Sequence, residues 1–150
     1  MRPISALKAA TGLVTLAVLV AMSSFALPAY ADDSLYQAFG GQAGVARVID
    51  DMYANVLADP RTAPYFDGAP IKRIKQKLNE QFCVLMGGPC VYTGRTMKRT
   101  HEGQNIDRAA FDALIEDLQK AMDKNGIPFH TQNKLLAKLA PMYRDVQDRE

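Results

Sequence analysis

Apolar residues recur at helical spacing in four long stretches of the chain, with polar residues between them. These stretches run from Val45 to Leu57, from about Pro70 to Met86, from Asp107 to Lys124, and from about Pro128 to Val146. A kink is expected at Pro141, because proline removes a helical hydrogen bond. No segment alternates apolar and polar residues for long enough to predict a strand. The pattern therefore predicts an all-α domain.

Between the second and third stretches the helical pattern is lost. Residues 87–95 are rich in turn-forming residues, and only Thr96 to Glu102 has the spacing for a short helix. A long irregular segment inside a small helical domain is often functional. This one contains His101, which makes it a candidate functional segment.

The start of the chain has the features of a secretory leader. Arg2 and Lys8 are followed by an uncharged stretch of 19 residues, from Ala9 to Leu27. Pro28 and the small residues of Ala29-Tyr30-Ala31 then form a cleavage-site pattern. A retained anchor is the alternative interpretation, since 19 uncharged residues come close to the length that spans a membrane.

We predict that residues 1–31 are a leader that is removed, and that residues 32–150 form one exported domain, periplasmic or secreted, with no stable membrane anchor. Without the leader the chain carries 16 basic and 16 acidic residues. A neutral body gives no electrostatic reason to expect nucleic acid as a partner. A composition of 48% apolar and 23% charged residues fits one globular domain and excludes a disordered or multi-pass membrane protein.

The chain has two histidines, and their surroundings differ. His130 lies in the first turn of the last predicted helix, where exposure to solvent is expected. His101 ends the short helix of the irregular segment, with Met97 before it and Ile106 after it. A lone histidine is usually a surface or core residue, but apolar neighbours on such a segment also suit the proximal ligand of a heme iron.

The apolar faces of the other helices supply candidate pocket residues. Tyr53 lies on the apolar face of the first helix, and Phe66 lies in the loop that follows it. Ile74, Leu78 and Phe82 repeat at four-residue intervals on the second helix. Such a face is more typical of an ordinary core than of a cofactor pocket, so the pattern alone leaves both interpretations open.

A series of short motifs points to one family. In chain order they are Leu35-Tyr36, Gly40-Gly41, Asp51-Met52-Tyr53, Val56 to Pro60, Pro64-Tyr65-Phe66, Gly87-Gly88-Pro89, Tyr92-Thr93-Gly94, Met97-Lys98, His101, Gly126-Ile127-Pro128 and Ala140-Pro141. Each is weak alone, but in this order and spacing they resemble the group I truncated hemoglobins over nearly all of residues 34–146. The resemblance implies a shortened globin fold, two helices stacked over two, that binds heme b without covalent attachment.

The resemblance also implies roles for single residues. His101 matches the proximal iron ligand, and Tyr53 matches the distal tyrosine. Arg73 and Lys77 match positions that contact the heme propionates. Phe66 matches the phenylalanine that packs on the heme, and Phe82 matches an aromatic residue at the mouth of an apolar ligand tunnel. The other matched positions line the pocket: Met97, Ile106, Phe111, Leu114 and Leu139.

The distal side departs from the family pattern. Members often carry glutamine at one or both of the positions matched here by Ile74 and Leu78, which are aliphatic. Tyr53 is then the only evident distal hydrogen-bond donor. An alternative is that Lys77 swings in as a sixth iron ligand, as in some relatives.

The two cysteines, Cys83 and Cys90, are separated by six residues across a Gly-Gly-Pro turn. In an oxidising compartment we expect a disulfide between the second helix and the loop that leads to His101. The alternative is two unpaired small apolar residues. A zinc site with both histidines has no recognisable spacing, and the chain has no Cys-x-x-Cys-His motif for covalent heme.

These observations predict an exported truncated hemoglobin, a monomer or weak homodimer, that binds oxygen, nitric oxide or carbon monoxide. Dioxygenation of nitric oxide is a second predicted activity, and it needs a reductant that the sequence does not identify. A rival hypothesis is a heme sensor or electron carrier whose resting iron is six-coordinate. Another is a heme-free interaction module that uses the basic residues from Lys72 to Lys77.

Overall fold

The computed structural model describes residues 34–147, and within them it contains helices and no strand. The α-helices are α1 (Ser34–Ala38), α2 (Gly41–Ala58), α3 (Ile71–Leu85), α4 (Met97–His101), α5 (Arg108–Lys124), α6 (Phe129–Leu139) and α7 (Tyr143–Val146). Two 3-10 turns cover Ala63–Phe66 and Ala140–Met142. The all-α prediction is confirmed, whereas the predicted leader lies outside the described residues.

Four of these helices correspond to the four periodic stretches of the sequence. The third begins with an N-cap, since the Asp107 side chain accepts a 2.8 Å hydrogen bond from the Ala110 backbone N–H. The fourth stretch is divided near the predicted kink, because α6 ends at Leu139 and Pro141 lies in a 3-10 turn. The pattern did not predict α1 or the first 3-10 turn, which are too short to show a period.

α2 is the central helix of the core. It packs against both α3 and α5, and α5 contacts α6. The arrangement is therefore two helices over two. Its buried apolar residues recur along one side: Val45, Val48, Ile49, Met52, Tyr53 and Val56. Among residues 34–147, no helix combines the length and the apolar character that crossing a membrane requires.

α3 ends in a Schellman motif that directs the chain toward the segment with His101. The N–H of Gly87 donates to the Val84 carbonyl, and the N–H of Gly88 donates to the Cys83 carbonyl. Gly87 adopts the left-handed conformation that this motif needs, with φ of 82°. The motif places the chain after α3 back against the last turn of the helix.

A disulfide joins Cys83 of α3 to Cys90 in this returning chain, with the two Cα atoms 5.9 Å apart. The pairing expected from the sequence is confirmed. A Cβ at Gly88 would lie 2.6 Å from the Cys83 Sγ and 2.9 Å from the Tyr36 ring. Only glycine therefore fits where the chain passes between the disulfide and α1.

Removing the disulfide with Cys83→Ala and Cys90→Ser should lower the free energy of unfolding by about 2–3 kcal/mol, because the unfolded chain is freed from a closed loop. Urea unfolding of the variant and of the oxidised wild type measures this difference. Reduced wild type is the matched control and should resemble the variant. Equal urea midpoints for the oxidised and reduced forms would contradict a stabilising role.

Candidate heme-binding site

His101 is the last residue of α4, a helix of five residues that begins where the Thr96 side chain accepts a hydrogen bond from the Arg99 backbone N–H. The His101 Nδ1 lies 2.8 Å from the Met97 carbonyl oxygen. A carbonyl can only accept, so Nδ1 carries a proton, and in the neutral imidazole Nε2 is the nitrogen with the lone pair. A histidine that binds a metal ion through Nε2 is usually held in this way.

Tyr53 lies in α2 and is only 2% exposed. Its ring meets the Phe66 ring edge to face, with the centroids 5.4 Å apart. Burial raises the pKa of the Tyr53 hydroxyl, which keeps it neutral and able to donate. Buried tyrosine hydroxyls usually find a hydrogen-bond partner, yet this one has none among residues 34–147. No fully buried side-chain N or O atom in that part of the chain lacks a partner, so the Tyr53 hydroxyl keeps some accessible surface.

The predicted apolar lining is mostly incompletely buried. Phe82 and Ile106 are in the core. Seven others pack against the core and remain partly exposed: Phe66, Ile74, Leu78, Met97, Phe111, Leu114 and Leu139. Apolar side chains that a small domain leaves at the edge of its core are suited to cover an apolar ligand.

These lining residues belong to two separate apolar clusters. Tyr53 and Phe82 are in the main cluster with residues of α1, α2, α3, α5 and α6. Met97 and Phe111 pack on a smaller cluster that contains Ile106. The resemblance assigned all of them to one pocket, whereas the described structure divides the predicted lining between the main core and a smaller cluster beside the segment that carries His101.

Gln81 of α3 connects the two sides and was missed in the sequence. It is 8% exposed, and its Nε2 lies 3.3 Å from the Met97 Sδ and 3.6 Å from the Met142 Sδ. Thioether sulfur is only a weak acceptor. The available signal was a polar residue at the helical spacing that follows Ile74 and Leu78 on the apolar face of α3.

The two basic residues expected near the propionates differ in their contacts. Arg73 is exposed and forms no ion pair with any residue from 34 to 147. The Lys77 Nζ lies 2.8 and 2.9 Å from the two oxygens of the Glu80 carboxylate, and it also donates to the Thr93 hydroxyl. Arg73 is therefore available to an anionic group, whereas Lys77 is already engaged.

Glu80 was not singled out in the sequence, although Lys77 and Glu80 have the spacing of a helical ion pair. Its carboxylate accepts hydrogen bonds from Lys77, from the Thr93 backbone N–H and from the Thr93 hydroxyl. These three contacts, led by the one from Lys77, lower the pKa of Glu80 to about 2. The carboxylate therefore stays charged and paired at physiological pH.

Comparison with known proteins now decides the family. Residues 34–148 match the bacterial-like globin family. The chain belongs to this family. The group 1 truncated hemoglobin GlbN of Mycolicibacterium paratuberculosis is 32% identical over 117 residues, which are 78% of this chain and 86% of the relative. The corresponding protein of Nostoc commune is 28% identical over 109 residues, or 73% of this chain and 92% of the relative.

Solved structures of truncated hemoglobins support the assignment of this chain to the globin family. The truncated hemoglobin of Tetrahymena pyriformis in its Fe(III) form superposes with a TM-score of 0.74 at 25% identity, covering 77% of this chain and 98% of that one. The 2/2 hemoglobin of Synechococcus sp. PCC 7002, in the cyanomet state with covalently attached heme, gives 0.71 at 25% identity with the same coverage. The predicted truncated globin fold is confirmed, and heme-based gas binding is the function of this class of protein.

The residues of this globin fit a heme. His101 offers an imidazole lone pair, and the partly buried apolar side chains offer walls for a flat ring. Arg73 offers a free guanidinium for a propionate. These are the donor, the lining and the anion partner that a propionate-bearing porphyrin requires.

His130, the second histidine, does not have the surroundings of a heme ligand. It is exposed at the start of α6, as expected from the sequence, and its ring contacts the Thr131 hydroxyl. Both cysteines are in the disulfide, and the described residues contain no group of three His, Cys, Asp or Glu side chains able to hold a metal ion. The zinc interpretation therefore has no support in residues 34–147.

Replacing His101 with alanine should sharply weaken heme retention, because the only imidazole on the α4 segment is lost. Transfer of heme to an excess of a scavenging apoprotein measures retention, and added imidazole should partly restore the wild-type spectrum. His130→Ala is the matched control and should leave both properties unchanged. Identical spectra and transfer rates for His101→Ala and wild type would contradict the proximal assignment.

Proposed function

We propose that this globin binds oxygen reversibly at a non-covalent heme b, with His101 as the proximal iron ligand and Tyr53 as the distal hydrogen-bond donor. The Tyr53 hydroxyl is the observation that carries the proposal, because it is a neutral donor on a buried apolar wall and has no partner among the described residues. The bound heme supplies the iron that takes up the diatomic gas. The residues around it then set how long each gas is retained.

Tyr53 should discriminate between gases by their polarity. Oxygen as a heme ligand is polar and gains from a hydrogen-bond donor, whereas carbon monoxide is much less polar and gains little. Ile74 and Leu78 have no donor to share this role. A single hydrogen bond to a charged or strongly polar acceptor in a dry pocket contributes roughly 1.5–3 kcal/mol.

Nitric oxide and carbon monoxide are further ligands that the same site would accept. Dioxygenation of nitric oxide to nitrate stays a prediction of the family resemblance. That reaction also consumes electrons, so a reductant partner stays a prediction with it.

The contacts of Lys77 favour gas binding over the rival hypothesis of a six-coordinate sensor or electron carrier. Its ammonium group is bound to Glu80 and Thr93. The heme-free module is disfavoured by the match to the bacterial-like globins across residues 34–148.

Replacing Tyr53 with phenylalanine should accelerate oxygen release on the order of 10- to 100-fold, and carbon monoxide release less than about threefold. The reason is the loss of the one distal donor at nearly constant side-chain volume. Stopped-flow measurement of both release rates from the ferrous protein tests this.

Tyr36→Phe is a suitable control, because it removes the hydroxyl of another buried tyrosine, in α1. An oxygen release rate that hardly changes in Tyr53→Phe would show that Tyr53 is only a core residue. Equal acceleration for both gases would also contradict the proposal, since it would indicate general loosening of the pocket.

We also propose that the protein is exported, on the strength of the leader features in residues 1–31. The mature form should begin at Asp32. N-terminal sequencing of protein from the extracytoplasmic fraction is the test. Recovery of a chain that begins at Met1 from a membrane pellet would instead support a retained anchor.

A further inference from the structure

A charged cluster fastens α3 to the chain that follows the disulfide. It consists of Lys77, Glu80 and Thr93, which we call the α3 clasp. Lys77 donates to both Glu80 oxygens and to the Thr93 hydroxyl, while Thr93 donates to Glu80 from its backbone N–H at 3.0 Å and from its hydroxyl at 2.8 Å. Each member therefore contacts the other two.

The α3 clasp differs from an ordinary surface ion pair. Exposed pairs between flexible side chains contribute little, but only 27% of the Lys77 side chain and 21% of the Glu80 side chain are exposed. Thr93 is also held by the covalent structure, because Cys90, three residues earlier, is bonded to Cys83 of α3. The acceptors are thus preorganised around the lysine.

Lys77 is also close in the sequence to the two residues that match distal positions of the heme pocket. It immediately precedes Leu78 in α3 and follows Ile74 by three residues, and these two residues match the distal positions of the globin pocket. A lysine amine on its four-carbon chain is a metal ligand once it is neutral. The contacts that Lys77 makes in the α3 clasp therefore affect whether the sixth coordination position of the iron stays open.

We propose that Glu80, together with Thr93, holds Lys77 away from the distal side and so keeps the heme iron five-coordinate and accessible to gas. Glu80 is a positioning residue in this role. The inference rests on the proposed function, because it presupposes a bound heme.

The state that competes with gas binding is the one in which Lys77 binds the iron, and the charge of Glu80 opposes it. To bind iron, the Lys77 ammonium would have to release a proton to water and leave the Glu80 carboxylate and the Thr93 hydroxyl. Removing the carboxylate charge removes the strongest of these contacts while α3 keeps its sequence around Lys77. The coordination state of the iron should then respond through Lys77.

Replacing Glu80 with glutamine in the full-length, heme-loaded protein tests the inference. Glutamine keeps the length of the side chain and can still accept from Thr93, but it does not carry the charge that holds Lys77. We expect the ferric and ferrous absorption spectra to move from five-coordinate toward six-coordinate low-spin forms. If nine-tenths of the iron becomes lysine-bound, carbon monoxide binding slows about tenfold at low gas concentration. At high gas concentration its rate levels off at the rate at which the lysine leaves the iron.

Three further variants make the result specific. Thr93→Val should shift the spectrum in the same direction by a smaller amount, because both contacts of the Thr93 hydroxyl are lost while the charged contact between Lys77 and Glu80 remains. Glu80→Gln combined with Lys77→Ala should return the iron to five-coordinate, because the ligand itself is gone. Glu116→Gln is the matched control, since Glu116 is an exposed acid paired with Arg61 elsewhere, and it should have no effect.

A five-coordinate spectrum and normal carbon monoxide binding in heme-loaded Glu80→Gln would overturn the inference. A wild-type iron that is already six-coordinate and becomes five-coordinate in Lys77→Ala would overturn it as well. Loss of heme from Glu80→Gln but not from Glu116→Gln would assign Glu80 to heme retention instead. A wild-type chain that takes up no heme would overturn the proposed function first, and this inference with it.

Discussion

A helix of five residues is too short to be stable by itself, so the position of His101 depends on how residues 87–107 are attached to the rest of the domain. α4 packs against α7 on one side. α3 provides three further attachments, through Cys83, Glu80 and Gln81. The same helix carries Ile74 and Leu78, which are the proposed distal positions. The two sides of the site are therefore connected through α3 by one covalent bond and two sets of hydrogen bonds.

The proposed distal side consists of one hydrogen-bond donor and apolar side chains, whereas charged residues lie around it. Tyr53 is a neutral donor fixed in the central helix, and its neighbours Ile74 and Leu78 contribute only apolar surface. The cationic residues nearby have carboxylate partners, since Lys75 is paired with Asp50 and Lys77 with Glu80, and the Lys75 Nζ also lies 5.7 Å from the centre of the Tyr53 ring. In the proposed function, discrimination between gases therefore depends on this one tyrosine.

Much of the fold could be predicted from the sequence because long helices show a clear period and defined ends. The Asp107 cap and the break at Pro141 are local features of this kind. The role of Gln81 could not be predicted, because its partner Met142 is 61 residues away and is brought near only by tertiary packing. The engagement of Lys77 had a partial signal in the spacing to Glu80, but the contribution of Thr93 depends on the turn after α3.

The central claim is that the domain holds a histidine-ligated heme with an open distal side. The absorption spectrum of the purified mature protein, recorded oxidised and reduced and with and without carbon monoxide, tests it most directly. We predict a non-covalent heme b spectrum whose ferrous form is five-coordinate and binds carbon monoxide at once. A protein without a heme spectrum after reconstitution, or a ferrous form that is six-coordinate at rest, would contradict this account.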